Sequence, residues 1–130
     1  KGTNFNYFSS EAQKFFFNQE FFVSKLADRM GIRLSGHKLE NVVSTNIKSE
    51  GIVRGVVQVP ADGNPIIMLS DHGTIGGYPK IGVVVSADLD RVGQLTPGST
   101  INFKEVSLEE AQNIFIAYNE DTNKYLNECN

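Results

Sequence analysis

Between Ser70 and Gly82 the sequence reads SDHGTIGGYPKIG, placing Asp71, His72, Thr74, Tyr78 and Lys80 in one short segment. A carboxylate or an imidazole can move a proton at neutral pH, and an ammonium can hold negative charge as it develops. Asp71 beside His72 has the composition of a base with its orienting group. The same pair beside a turn serves equally well to satisfy backbone donors. Gly73, Gly76 and Gly77 let a backbone turn sharply or let a ligand come close to its N–H groups. Tyr78 precedes Pro79 and is held extended, so its phenol either meets a ligand or packs the loop down. The segment has neither the Gly-x4-Gly-Lys-Ser/Thr spacing of a P-loop nor a G-x-G-x-x-G run, so its glycines alone do not indicate phosphate binding. A hairpin turn needs only about two to five residues. This loop is longer than that and carries more chemistry than a turn requires.

The flanking sequence must position it. PIIML precedes the loop and IGVVVSADL follows it, both strand-like. EGIVRGVVQVPADGNP predicts a strand with Val53, Val57 and Val59 inward and Arg54 and Gln58 on the opposite face, then a turn at Asp62-Gly63. EFFVSKLADRMGIRLSG reads as strand, tight connection, strand, punctuated by Gly31 and Gly36. Pro97-Gly98 suits a type II turn, and TINFKEV alternates as a further strand. Ser10 with Gln13 suggests a capping box opening a helix over residues 10–18, with Phe15, Phe16 and Phe17 as core. Ser107 with Glu110 suggests a second, opening a helix that carries Leu108, Ala111, Ile114, Phe115 and Tyr118. Residues 120–130 are a polar tail expected to fray. Five to eight short strands with helices near both ends predict a mainly β sandwich or barrel, spanning residues 1–130 as one domain.

Composition narrows the function classes. With 12 basic and 15 acidic residues, the net charge of −3 argues against nucleic acid as a partner. No apolar run approaches the roughly 20 residues that span a bilayer. Cys129 is the only cysteine, so no internal disulfide and no Cys/His zinc cluster can form, and a reducing, cytoplasmic setting is expected. No metal site is expected. His37 lies in a polar loop and is expected to be solvated.

SKLADRMGIRLSG, followed by the run from IKSEGIVRGVVQVP through SDHGTIGGYPKIG to STINFKEVSLEEA, resembles the second half of a bacterial family. That family is known as the C subunit of 5-oxoprolinase, antagonist of the Kip antikinase, allophanate hydrolase subunit 2, or biotin-dependent carboxyltransferase domain. The match runs in order from about Val23 to Ala111. The resemblance implies a cyclophilin-like β-barrel with short flanking helices. It also implies that this chain is the C-terminal half of a protein about twice its length, in line with domain sizes.

The resemblance further implies a site. Asp71, His72, Lys80 and Arg29 are its expected catalytic residues, and Thr74, Gly76, Gly77, Tyr78, Asp28, Gly31, Ser49 and Glu50 its expected substrate-binding residues. They would receive a planar lactam, amide or ureido group. Gly73 and Ile75 depart from the family, which has Gln and Thr there, and Ala27 and Ile32 replace Ser and Tyr. The implied function is a part of an ATP-dependent 5-oxoprolinase that opens 5-oxoproline to glutamate. Its expected partners are the antikinase-like B subunit, the A subunit, and the N-terminal half of the same C subunit. No cofactor is expected in this chain; ATP is used by the assembled complex. The alternatives are transfer of CO2 from carboxybiotin in a urea carboxylase or allophanate system, and non-catalytic binding of an antikinase. Peptidyl-prolyl isomerisation has only fold analogy behind it.

Overall fold

The computed structural model describes residues 1–129. Two strands open the sheet, β1 (Glu20–Val23) and β2 (Gly31–Gly36), paired antiparallel with Phe21 opposite Gly36. Between them Asp28 Oδ1 accepts from the backbone N–H groups of Met30 and Gly31, and this Asx turn reverses the chain. The short β3 (Glu50–Gly51) stands apart. β4 (Val56–Gln58) and β5 (Ile66–Met68) return to the main sheet. The equally short β6 (Ile75–Gly76) pairs with β3, and β7 (Lys80–Val83) and β8 (Thr100–Asn102) form the two edges.

The main sheet has six strands in the order β7-β4-β5-β2-β1-β8, every neighbouring pair antiparallel, curled into a half-barrel. A register shift between Val57 and Gln58 against β7 helps the curl, because a bulge increases local twist. The mainly β reading is correct, and its count of five to eight strands includes the eight observed.

Helix α1 (Ser10–Asn18) packs Ala12 and Phe16 into the core against the sheet. Phe16 stacks on Phe103 at a centroid distance of 4.4 Å and lies near Phe21, so one aromatic cluster joins helix to sheet. Phe8, Phe21, Leu34, Val57, Val59, Ile67 and Ile81 complete a fully buried core. Phe15 and Phe17 are partly buried and pack against it. The cap of α1 differs from the one predicted. Ser9 is the N-cap and accepts from Ala12 N–H, whereas Gln13 turns back to donate to the carbonyls of Phe5 and Phe8.

Three other predictions are corrected. Val57 and Val59 are inward, but Val53 is 62% exposed. Gly55 adopts φ +91° and breaks the strand between Val53 and Val56, so the alternation does not extend across it. The strand predicted over TINFKEV keeps only Thr100–Asn102; Phe103 still packs into the core after leaving the sheet.

The polar tail is helical over residues 120–128. It lies within α3 (Leu108–Glu128), a helix of 21 residues that is longer than the short flanking helices expected; Asn130 lies outside the described residues. The predicted box is formed in full, with Ser107 Oγ accepting from Glu110 N–H and the Glu110 carboxylate from Ser107 N–H. No glycine or proline follows before the end of the chain to stop the helix. None of the residues of α3 is buried. Tyr118 OH ties it to the body by donating to Asp90 Oδ2 at 2.6 Å, beside the five-residue helix α2 (Leu89–Gly93).

Turn chemistry follows the sequence closely. Gly98 has φ +90° with Ser99 N–H bonded to Thr96 O, and Gly63 has φ +78° with its N–H bonded to Pro60 O. His37 is exposed and rests edge-on against Phe15.

Candidate functional site

Three segments distant in sequence converge on the loop that joins β5 to β7. The first is the Asx turn at Asp28–Gly31. Arg29 O accepts from Asp71 N–H, and Met30 O accepts from Leu69 N–H, so this turn is stitched to the start of the loop. Arg29 Nε also lies 3.4 Å from Asp71 Oδ2. Gly31 is buried, and a Cβ there would stand 2.9 Å from Ile66 Cγ2, so the close approach of turn and β5 suits glycine.

The second is the Ser49–Gly51 segment. β3 and β6 form a two-stranded ribbon with Glu50 opposite Gly76 and Gly51 opposite Ile75. Ile52 N–H to Thr74 O and Ile47 N–H to Gly77 O extend it at both ends. Ser49 sits close to Gly77, whose missing Cβ would be 3.8 Å from Ser49 Oγ. The third is the N-terminal strap. Gly2 N–H bonds to Ile81 O, Asn4 N–H to Lys80 O, and Asn4 Oδ1 accepts from Lys80 N–H.

Beneath the ribbon lies a buried polar group. Lys80 Nζ is 2.8 Å from Glu50 Oε2, with the lysine side chain 5% exposed and the glutamate 42% exposed. The hydrogen bond from Lys80 is the largest influence on Glu50. With the Lys80 charge and a hydrogen bond from Asn4, it holds the carboxyl below its ordinary value of 4.5 despite desolvation. Gln58 is the cross-strand partner of Lys80 and is itself buried, 4% exposed. Its Nε2 finds no hydrogen-bond acceptor among the described residues. A buried unpaired donor of this kind costs roughly 1–3 kcal/mol.

Above the ribbon the chemistry is open to solvent. Thr74, Ile75 and Tyr78 are exposed, as are Asp71 and Arg29. His72 Nδ1 lies 2.6 Å from Gly73 O. A carbonyl only accepts, so Nδ1 is the donor in this contact, and in the neutral ring it is Nε2 that has the free lone pair. Asp71 is engaged by Arg29 rather than by the imidazole. Carboxylate and imidazole therefore act separately. An exposed pair such as Arg29 with Asp71 contributes roughly 0–1 kcal/mol to stability, which leaves the guanidinium free to meet an anion.

The expected site residues thus divide into two layers. Arg29, Asp71, His72, Thr74 and Tyr78 present polar groups outward; Lys80, Glu50, Gly76 and Gly77 make up the support, and Asp28, Gly31 and Ser49 hold the segments together. Asn4 and Gln58 were not among the expected residues. A glutamine inside the apolar run VVQVP, in register with Lys80, is the signal that marks Gln58. No group of three or more His, Cys, Asp or Glu side chains able to hold a metal occurs among the described residues. No helix among them is long and apolar enough to cross a membrane. A groove of about 1160 Å³ opens elsewhere, between the sheet at Val57 and Gly82, Phe103 and the start of α3, and residues 70–79 do not line it.

The model of the carboxyltransferase domain, subdomain A and B, matches residues 1–105, which contain every segment of the site. The chain is 37% identical over 110 residues to the C subunit of 5-oxoprolinase from Escherichia coli, covering 85% of this chain and 36% of that protein. It is 43% identical over 104 residues to the C subunit of 5-oxoprolinase from Haemophilus influenzae, covering 80% of this chain and 34% of that protein. The crystal structure of the K. lactis urea amidolyase superposes with a TM-score of 0.83 at 30% identity, over 89% of this chain and 8% of that one. The matched residues span about a third of the length of the two curated relatives. By its matched residues and by its fold, the chain belongs to the carboxyltransferase domain family, subdomain A and B.

Proposed function

We propose that this chain is part of the C subunit of an ATP-dependent 5-oxoprolinase, which opens the 5-oxoproline lactam to glutamate. The observation that carries this reading is the 37% and 43% identity to two relatives named as C subunits of 5-oxoprolinase, against 30% for the urea amidolyase structure. The outward layer supplies groups suited to the substrate. Arg29, with its side chain 92% exposed, takes the substrate carboxylate as a bidentate fork. The Tyr78 phenol hydrogen-bonds the edge of the ring, while Gly76 and Gly77 let the loop pack closely on Gln58 and Ile47 beneath it.

Ring opening adds water to the lactam carbonyl carbon and breaks the C–N bond. His72 Nε2 takes the proton from that water and returns it to the departing nitrogen, which leaves as an amine. Lys80 and Glu50 keep the loop in register from below. ATP is consumed by the assembled complex in the cytoplasm, where the partners are the A and B subunits and the remainder of the C subunit.

A second reading is supported by the likeness to the urea amidolyase structure. In it the same loop receives a ureido group during carboxyl transfer from carboxybiotin, carried by a biotinylated domain outside this chain. The two readings separate in one assay. The full-length protein, co-expressed with its A and B partners, should release glutamate from 5-oxoproline only when ATP is present. Carboxylation of urea by a biotin-loaded assembly, without glutamate release, would select the second reading.

A further inference from the structure

Gln58, Gly76, Glu50 and Lys80 form a closed ring of neighbours. Gln58 is in register with Lys80 across β4 and β7, so both side chains leave the sheet on one face. Lys80 reaches Glu50 through its ammonium, and Glu50 is paired with Gly76 across the ribbon. Gly76 in turn presses on Gln58, since a Cβ at that glycine would lie 2.7 Å from Gln58 Nε2 and 2.5 Å from Ile52 Cδ1. Two donors inside this ring are unspent. Gln58 Nε2 has no acceptor among the described residues, and the Lys80 ammonium has three N–H groups, of which Glu50 takes one. Buried donors of this kind call for an explanation, and a bound acceptor is one.

We infer that Gln58 and Lys80 form an oxygen-binding subsite beneath the β3–β6 ribbon. The subsite takes an sp2 oxygen of the ligand, the carbonyl of a planar lactam or a carboxylate, and the ribbon is its lid. The ribbon suits that role, because each strand has two residues and its outer side at Gly51 and Ile75 faces solvent. The ladder bonds run between the ribbon's own strands, so the side-chain tie that must yield for it to lift, and re-form over the ligand, is the Lys80–Glu50 contact. A Gln amide donates without adding charge, and the ammonium beside it is already neutralised by Glu50. The pair therefore holds a polarised oxygen while leaving Arg29 to meet the other end of the ligand. The inference deepens the proposed function and rests on its reading of this loop as the substrate-lining segment.

The test is a titration of the isotopically labelled chain, following the Gln58 side-chain amide resonance by NMR. The probes are 2-pyrrolidinone (carbonyl only), acetate (carboxylate only) and 5-oxoproline (both). A saturable shift with 2-pyrrolidinone and 5-oxoproline is expected if the lactam carbonyl is held. A shift with acetate and 5-oxoproline alone would assign the subsite to the carboxylate. No shift of Gln58 with any probe overturns the inference.

Gln58→Met keeps length and burial and removes the donor. It should weaken binding of the active probe about tenfold or more while the melting temperature holds or rises. Unchanged affinity in a folded Gln58→Met chain also overturns the inference; if that variant does not fold, the wild-type resonance decides. Glutamate release by the assembled enzyme judges the proposed function separately. Probe binding at Gln58 without glutamate release removes that function and keeps the subsite. Glutamate release with an unmoved Gln58 does the reverse.

Discussion

The Lys80 ammonium lies 2.8 Å from the Glu50 carboxylate, and the two partners differ sharply in access to water, at 5% and 42% side-chain exposure. Removing either one therefore has unequal consequences. Glu50→Ala strands a buried cation, and a loss of about 2 kcal/mol is expected, below the cost of breaking a fully buried pair. Lys80→Met leaves a glutamate that can turn to solvent, so its loss should be the smaller. Urea unfolding of both variants measures the difference, and equal losses would contradict the asymmetry.

Acid stability follows from the same pair. Lys80 holds the Glu50 carboxyl below 4.5 in the folded chain, so the unfolded chain binds this proton more readily. The stabilisation is whole above pH 4.5 and is lost as pH falls through the lower folded value. Asp62, Asp90 and Glu110 are shifted in the same direction, so acid lability persists without Glu50. Glu50→Gln should make the decline of melting temperature below pH 4.5 shallower than in the parent chain. A decline of unchanged steepness would mean that the pair does not govern it.

The capping box of α3 is separable from the body. Ser107→Ala removes the acceptor for Glu110 N–H, a change that costs about 1 kcal/mol at an N-cap. Because α3 buries none of its residues, the loss should fall on the helix alone. Amide exchange in residues 108–118 is expected to accelerate severalfold while protection in β4 and β5 is unchanged. Faster exchange throughout the sheet would show that α3 supports the fold.

The motifs made much of this legible, and where they fell short the cause is physical. Most strand segments, the Pro97-Gly98 turn and the Ser107–Glu110 box that opens α3 follow from local chemistry, which acts over a few residues. Val53 was misplaced because period two was extended across Gly55, whose positive φ ends the pattern. The tail was misjudged because its polarity outweighed its lack of helix breakers. At the site, the convergence of Arg29 with Asp71 and of Ser49 with Gly77 was contained in the family resemblance. The division into an exposed layer and a support built on the buried Lys80 and its half-exposed partner Glu50 was not. It depends on the β3–β6 ribbon covering one face of β4, a tertiary relation that no local spacing encodes.

Positions 73 and 75 offer a gain-of-function test. A Cβ at Gly73 would meet nothing nearer than Ile75 O at 3.6 Å, and Ile75 is 67% exposed. Gly73→Gln with Ile75→Thr restores the residues implied by the family resemblance without a clash, so the melting temperature should stay within about 2 °C, as for ordinary surface changes. The added amide and hydroxyl should tighten binding of 2-pyrrolidinone, measured by NMR titration. Unaltered binding would mean that these two side chains do not read the ligand.

In the proposed function the substrate is held by the exposed layer of this loop cluster. The most direct test is kcat/KM for 5-oxoproline in the assembled enzyme carrying Arg29→Ala. Arg29 is solvent-exposed and its only ion pair is the weak one with Asp71 among the described residues, so the variant should fold as the parent does. A fall in kcat/KM of about tenfold or more is expected, equivalent to about 1.4 kcal/mol of lost transition-state binding, with the melting temperature held. A kcat/KM equal to that of the parent would contradict it.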